Sequence, residues 1–308
     1  MPSEPGNESN GGGSRVERVA VDVSYEHILV PLDGSVLAGA AIPTAQAIAE
    51  RLGAEVHAIS VASSDGVTES LREQSLGTIS PESNEVRVRV VVGEDPAASI
   101  VEQARELGST LICMSTHGRG RVAGAVLGSV ARAVFHRAKA PLVAVGPFAD
   151  RPPPFTYRWP DPLAINRVVA CVDGSQASEQ VLPIAAGWAR LLGASLSILT
   201  VAEPAAPVGG VTRTRSGCYE PDGDPDAYVA RLADQLRTAG IDAHAVVVHD
   251  PISPAEGVKA HLATEMAGLV IVTTRARGGL RRLLLGADAA AIVRASLAPV
   301  LVVPLNVA

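Results

Sequence analysis

Short apolar runs recur along the chain, separated by charged or glycine-rich stretches. His27-Ile-Leu-Val-Pro-Leu32, Val56 to Val61, Thr110 to Met114 and Pro141 to Val145 suit buried strands. Glu85 to Val92 alternates charge with valine and predicts a strand with one exposed side. Helical patterns stand between them. Ser35 is placed to cap a helix running to about Leu52, with Pro43 inside it predicting a bend. Pro96 to Leu107 carries proline in its first turn, where helices tolerate it. From Leu127 the apolar residues Leu127, Val130, Ala131, Val134, Phe135 and Ala138 share one helical face. Residues 62 to 85 are polar and predict irregular chain with a short helix near Glu69 to Gln74.

The pattern then repeats. Five prolines between residues 150 and 163 predict a stiff linker. Beyond it, Arg167-Val-Val-Ala-Cys-Val172 precedes Asp173-Gly174-Ser175, as His27 to Leu32 precedes Asp33-Gly34-Ser35. Pro183 matches Pro43, Pro254-Ala255 matches Pro96-Ala97, and Leu269 to Thr273 matches Leu111 to Ser115. Ordered agreement of this kind predicts two homologous domains, 25–149 and 164–308, joined by 150–163. Residues 1–24, rich in Gly, Ser, Asn and charge, predict a disordered tail. The second copy has a longer middle segment, with a full helix expected over Asp224 to Ala239.

Each copy reads β-α-β-(α)-β-α-β-α-β. Right-handed crossovers make that an α/β fold, a parallel five-stranded sheet of order 3-2-1-4-5 with helices on both faces. The chain direction reverses between the first and fourth strands. Ligands sit at such a switch point, beyond the carboxyl ends of the strands. Asp33 and Ser115 end those two strands and therefore meet at one crevice. The fifth strands are edges in this order, and apolar edges invite pairing. The two copies are expected to pack as an intramolecular pseudo-dimer, with a homodimer of tandems as the alternative.

Composition narrows the classes. Of 308 residues, 47% are hydrophobic and 3% aromatic, so the core must be Val, Ala, Leu and Ile, as in parallel sheets covered on both faces. A net charge of −6 predicts no general attraction to nucleic acid. No apolar run approaches the ~20 residues that span a bilayer, and no signal-peptide pattern precedes residue 25. A soluble cytoplasmic protein is expected. Three scattered cysteines without a CxxC or Cys/His cluster suggest neither a disulfide framework nor a zinc site, and no metal ligand is expected.

The candidate chemistry lies between Leu111 and Val130. An apolar run ends at Met114-Ser115. A loop with three glycines and two arginines follows, and Gly128-Ser129 opens a helix. A strand, a glycine-rich loop and a helix start together make an anion cradle, with free N–H groups and the positive end of the helix dipole aimed at one place. Ser115-x-x-Gly118-x9-Gly128-Ser129 resembles the G-x-x-G-x9-G-S/T nucleotide loop of ATP-binding universal stress proteins, with serine in place of the first glycine. The resemblance covers both copies and implies a Rossmann-like (adenine nucleotide alpha hydrolase-like) fold in each.

The resemblance also assigns roles. Pro31 and Val61 match positions lining the adenine pocket, and Asp33 one that accepts hydrogen bonds from ribose or adenine. Met114 and Ser115 match the exit of the fourth strand. Gly118, Gly128, Ser129 and Val130 match phosphate contacts. By the residues alone, Asp33 also suits a helix-capping turn, and Pro31 and Val61 suit the core. Arg119 and Arg121 read as solvated loop residues or as phosphate partners, and His117 as a turn residue or a γ-phosphate contact. The second copy keeps Asp173, Val201, Thr273 and Gly286. It carries Ala276, Ala287 and Asp288 where Gly118, Ser129 and Val130 stand in the first. That predicts a degenerate second site. No Walker loop, dinucleotide fingerprint or nucleophile elbow is present, so no catalytic residue is assigned. The implied cofactor is ATP, with Mg2+ left open. The implied role is a nucleotide-dependent stress sensor or adaptor. A slow ATPase and an interaction module without nucleotide are the rival readings.

Overall fold

The computed structural model describes residues 20–79, 86–108, 110–116, 127–146, 166–202, 223–249, 253–265, 267–274, 287–296 and 298–304, without the side chains of residues 287, 288 and 295. The linker at 150–163 and the loop carrying Gly118 lie outside the described residues, as do Ala276 and Gly286.

In the first half the strands are β1 (His27–Leu32), β2 (Glu55–Ala62), β3 (Val86–Val92), β4 (Thr110–Ser115) and β5 (Leu142–Val145). In the second they are β6 (Arg167–Cys171), β7 (Ser195–Ala202), β8 (Ala243–His249), β9 (Leu269–Thr273) and β10 (Val300–Val303). Each half has the expected 3-2-1-4-5 order, with parallel neighbours. The halves do not stop at separate sheets. β5 pairs antiparallel with β10, setting Val143 opposite Leu301, and the result is one ten-stranded sheet. The β5 and β10 edges, which would otherwise expose unpaired backbone groups, cover one another, and β3 and β8 form the outer edges of the sheet.

The helix expected from Ser35 to Leu52 is instead two, α1 (Val36–Gly39) and α2 (Ile42–Leu52). The same division recurs as α6 (Gln176–Glu179) and α7 (Val181–Leu192). Pro43 and Pro183 have no N–H to give the carbonyl four residues back, and α1 and α6 end at those residues, Gly39 and Glu179. Ser35 does cap its helix, its hydroxyl accepting from the Ala38 N–H. The short helix in the first middle segment is α3 (Thr68–Leu76). Its longer counterpart is α8 (Pro225–Thr238). The remaining helices are α4 (Pro96–Leu107), α5 (Ser129–Arg137), α9 (Pro254–Thr264) and α10 (Ala287–Ala295).

Strand side chains alternate between two apolar layers, and both layers run across the β5–β10 junction. Ile28, Val30, Val143 and Leu301 pack with α2, α7 and α8 on one face. Leu29, Ile112, Leu142 and Val302 pack with α4, α5, α9 and α10 on the other.

Residues 20–24, assigned to a disordered tail on composition, instead lie against α7. The Val21 N–H donates to the Pro183 carbonyl at 3.0 Å. The Tyr25 ring sits 6.4 Å from that of Trp188, and burial pushes the Tyr25 pKa up to about 12. Gly187 permits the approach, since a Cβ there would lie 2.0 Å from the Val21 carbonyl oxygen.

Candidate functional site

At the carboxyl ends of β1, β2 and β4 opens a cleft of about 900 Å³. Pro31, Asp33, Val61, Met114, Ser115, Gly128, Ser129 and Val130 all line it. These residues are brought from four separate places in the sequence by strand order alone. Of the first-site residues named from the sequence, Gly118 and its loop neighbours His117, Arg119 and Arg121 fall outside the described residues.

Two kinds of wall meet there. Pro31, Ile59, Val61, Ile100 and Met114 give an apolar side. The opposite side is the amino end of α5. Its N-cap residue is Gly128, no side chain caps it, and its first turn holds no acidic residue. The N–H groups of a first turn have no partner within the helix and carry the positive end of its dipole. The Gly128 N–H itself is bonded to the Thr116 carbonyl at 3.0 Å, which ties the helix start to the end of β4. Gly128 has φ −54°, and a Cβ there would make only an ordinary 3.5 Å contact with the Thr116 oxygen. Nothing in the described fold demands glycine at this position. The space it leaves faces the cleft.

Asp33 serves the turn that follows β1. Its Oδ1 accepts from the Ser35 N–H at 3.0 Å and from Ser35 Oγ at 2.6 Å. The structural role of Asp33 is therefore real, and it coexists with a place in the cleft wall. Ser115 is buried at the end of β4, and the next residue, Thr116, donates its N–H to the Val145 carbonyl at 2.9 Å.

The cleft also includes residues the sequence reading passed over. Arg132 is the one basic residue among the described residues lining it. It follows Ser129 by three positions on α5, and that spacing puts both on one helix face. Ser70, Leu71 and Gln74 of α3 close another side. Only the sheet order places that helix by the crevice, so no local signal marked it.

The second half repeats the backbone of this site in part. Asp173 Oδ1 accepts from the Ser175 N–H at 3.1 Å and from Ser175 Oγ at 2.5 Å, reproducing the Asp33 turn. Val201, next to the end of β7, and Thr273, at the end of β9, are half-buried, and α10 begins at Ala287 with Asp288 as its second residue. Tyr228 lies within electrostatic range of Asp173. Tyr228 of α8 is buried, and its pKa is driven upward by burial first, then by the negative charges of Glu179 and Asp173.

Both described cysteines are poor nucleophiles. Burial pushes the Cys171 thiol up to about 12 and the Cys113 thiol higher still.

Comparison with known proteins agrees with the repeat. The model of the universal stress protein family matches residues 24–146 and again 164–304. Universal stress proteins of Mycobacterium tuberculosis and Mycobacterium bovis are 30% identical to the chain over 142 residues, covering 41% of this chain and 48% of theirs. The match thus spans about half the length of those relatives. A universal stress protein structure from Archaeoglobus fulgidus superposes with a TM-score of 0.66 at 19% identity, covering 92% of this chain and 99% of that one. A functionally unknown protein from Pseudomonas aeruginosa gives 0.61 at 18% identity, covering 92% and 93%. At these identities the structures attest the fold. The two family matches together take in most of the sequence, and the chain belongs to the universal stress protein family as a tandem of two of its domains.

Proposed function

We propose that the first half binds ATP and that the chain works as a nucleotide-dependent sensor or adaptor in a cytoplasmic stress response. One observation carries the reading: Ser115, Gly128 and Ser129, which match the nucleotide loop, converge with an apolar wall on a single cleft of about 900 Å³. That volume lies within the range of small-molecule and cofactor sites. Adenine would lie against Pro31, Val61 and Met114, with Asp33 toward the ribose. The phosphates would meet the uncapped start of α5, with Gly128 leaving room for close approach and Ser129 and the Val130 N–H as donors. Gly118, from the loop before α5, completes the assignment, and Arg132 adds a positive charge at the rim.

The lining favours holding a nucleotide over turning it over. Asp33 is the one carboxylate among the described lining residues, and its Oδ1 is engaged in the turn. Mg2+ would then take most of its ligands from phosphate oxygens and water, as it commonly does. We take 25–149 and 164–308 as the two domains, with β5 against β10 making the chain its own pseudo-dimer. The second site, with Ala276, Ala287 and Asp288, is the weaker or silent one.

Two measurements test this. Purified protein, denatured and analysed by chromatography, should release an adenine nucleotide. Calorimetry should show ATP binding that Gly128→Glu abolishes. Two unit charges about 4 Å apart repel by on the order of 4 kcal/mol at an effective dielectric near 20. An unchanged affinity in Gly128→Glu would sink the assignment.

A further inference from the structure

The amino-terminal ends of β1 and β2 lie at the other end of the sheet from the cleft. Strand register brings His27 beside Glu55 there, with His57 two residues further along β2 and beside Arg87 of β3. Residues two apart on a strand share a face, so both imidazoles and the carboxylate point the same way. His57 Nε2 is 3.2 Å from Glu55 Oε2, and His27 Nδ1 is 3.9 Å from the same oxygen. The two rings meet edge to face with centroids 5.0 Å apart. One donor atom from each residue falls within 4.8 Å of the other two. Both nitrogens are shielded from solvent and make no hydrogen bond. The side chains keep 23% and 18% exposure, which leaves a path for a small ion.

We propose that His27, Glu55 and His57 form a binding site for a divalent transition metal of the zinc type. Two imidazole nitrogens and a carboxylate oxygen are a donor set that suits zinc and disfavours calcium or magnesium. Bonds of ~2.0–2.2 Å in tetrahedral geometry put ligand atoms about 3.3 Å apart. The His57–Glu55 separation already meets that figure, and small side-chain rotations bring in His27. The fourth position would be left to water. An ion there would join two buried nitrogens that otherwise face one shared carboxylate oxygen.

One feature of the surroundings supports it. Arg87 Nη2 donates to Glu55 Oε1 at 2.7 Å, which fixes the carboxylate and turns Oε2 toward the rings. Such outer partners commonly orient metal ligands. The second half supplies an internal control. Arg167, Ser195 and Ser197 occupy the corresponding strand positions, and Arg167 pairs with Glu265. One ion per chain is expected, in the first half.

The test uses the full chain, stripped with chelator, and Zn2+ alone as the probe. Calorimetry should give one tight site per chain. Loss of an outer partner typically weakens metal binding about 10–100-fold, so His27→Gln or His57→Asn should each cost about 100-fold or more. Anomalous diffraction from zinc-soaked crystals of the unaltered chain locates the ion even where a variant folds poorly, and density between the three side chains is the expected result. Absence of zinc uptake would overturn the proposal. So would an ion located elsewhere, or uptake unchanged in the double variant His27→Gln, His57→Asn.

Discussion

Asp33 and Asp173 make the same turn with the same serine geometry, yet what surrounds them differs. In the first half Gly39 packs close to Thr78, where a Cβ would come within 2.9 Å of the Thr78 Cβ. The corresponding residue of the second half is Glu179, which meets buried Tyr228. Ser129 and Arg132 of α5 become Ala287 and Ala290 in α10, and Pro31 becomes Cys171. The metal-type trio has no counterpart either. The halves share what the sheet needs, which is turns, caps, register and apolar layers. They differ in the polar side chains at the strand ends, where a ligand would sit. The two copies share the scaffold, and the side chains that the proposed chemistry needs stand in one of them.

The sharpest way to break that comparison is at the junction of the halves. Val143 and Leu301 are fully buried register partners. Leu301→Ala should cost about 2–5 kcal/mol, measured by urea unfolding. The unaltered chain should unfold in one transition, because both apolar layers cross the β5–β10 pairing. Two separate transitions in the unaltered chain would make the halves independent units.

Grafting first-half chemistry onto the second half sharpens the comparison. The double variant Ala287→Ser, Asp288→Val supplies a hydroxyl and removes a carboxylate from the first turn of α10. A carboxylate there competes with phosphate for the helix dipole. Equilibrium dialysis should move from one ATP per chain toward two, the second site gaining about tenfold in affinity, or ~1.4 kcal/mol. Two equal sites in the unaltered chain would contradict the asymmetry.

A smaller effect tests the strap at residues 20–26. Ala47 of α2 stands where Gly187 stands in α7. Gly187→Ala gains about 1 kcal/mol in helix propensity but forces the Val21 carbonyl away, an overpacking that costs about 1–3 kcal/mol. A net loss of stability is expected in thermal unfolding. A stabilised Gly187→Ala protein would show that the strap is not docked in solution.

The smallest effect is at acid pH. Asp95 caps α4 and binds Arg137 of α5 at 2.5 Å. The Arg137 hydrogen bond, then the Ala98 N–H, holds its carboxyl below the ordinary value of 3.8. A lowered folded value means the contribution is present above pH 3.8 and fades as the pH falls toward the folded value. Both partners are solvent-exposed, so screening keeps the term small. Arg137→Gln should flatten the acid limb of a stability profile. The corresponding cap in the second half is Ser253, which does not titrate, so a matching change at α9 should leave that limb alone.

Much of this protein could be read from its residues. Strand and helix periods, the repeated Asp-Gly-Ser, and the spacing from Ser115 to Ser129 are local patterns set by backbone geometry. They fixed the element order, the crossovers and hence the strand order of each half. They also placed Asp33 and Ser115 at one crevice, because strand order dictates which chain segments end at the switch point, while Pro31 and Val61 were marked only by the family resemblance. Proline chemistry was visible too. That it would divide each first helix in two, and not bend it, depended on where the preceding turn could close.

Other features needed the tertiary structure. Pairing of β5 with β10 joins residues from opposite ends of the chain, and no local period encodes a choice between that partner and another molecule. Val21 on α7, Arg132 and α3 in the cleft wall, and His27 beside Glu55 and His57 are contacts between segments whose sequences carry no mark of one another. His57 follows Glu55 by two, a spacing that puts both on one strand face, but His27 reaches them only through register. Side chains become a site when distant backbone brings their polar atoms within a few ångströms. Sequence period sets the direction each one points, and packing sets what it meets.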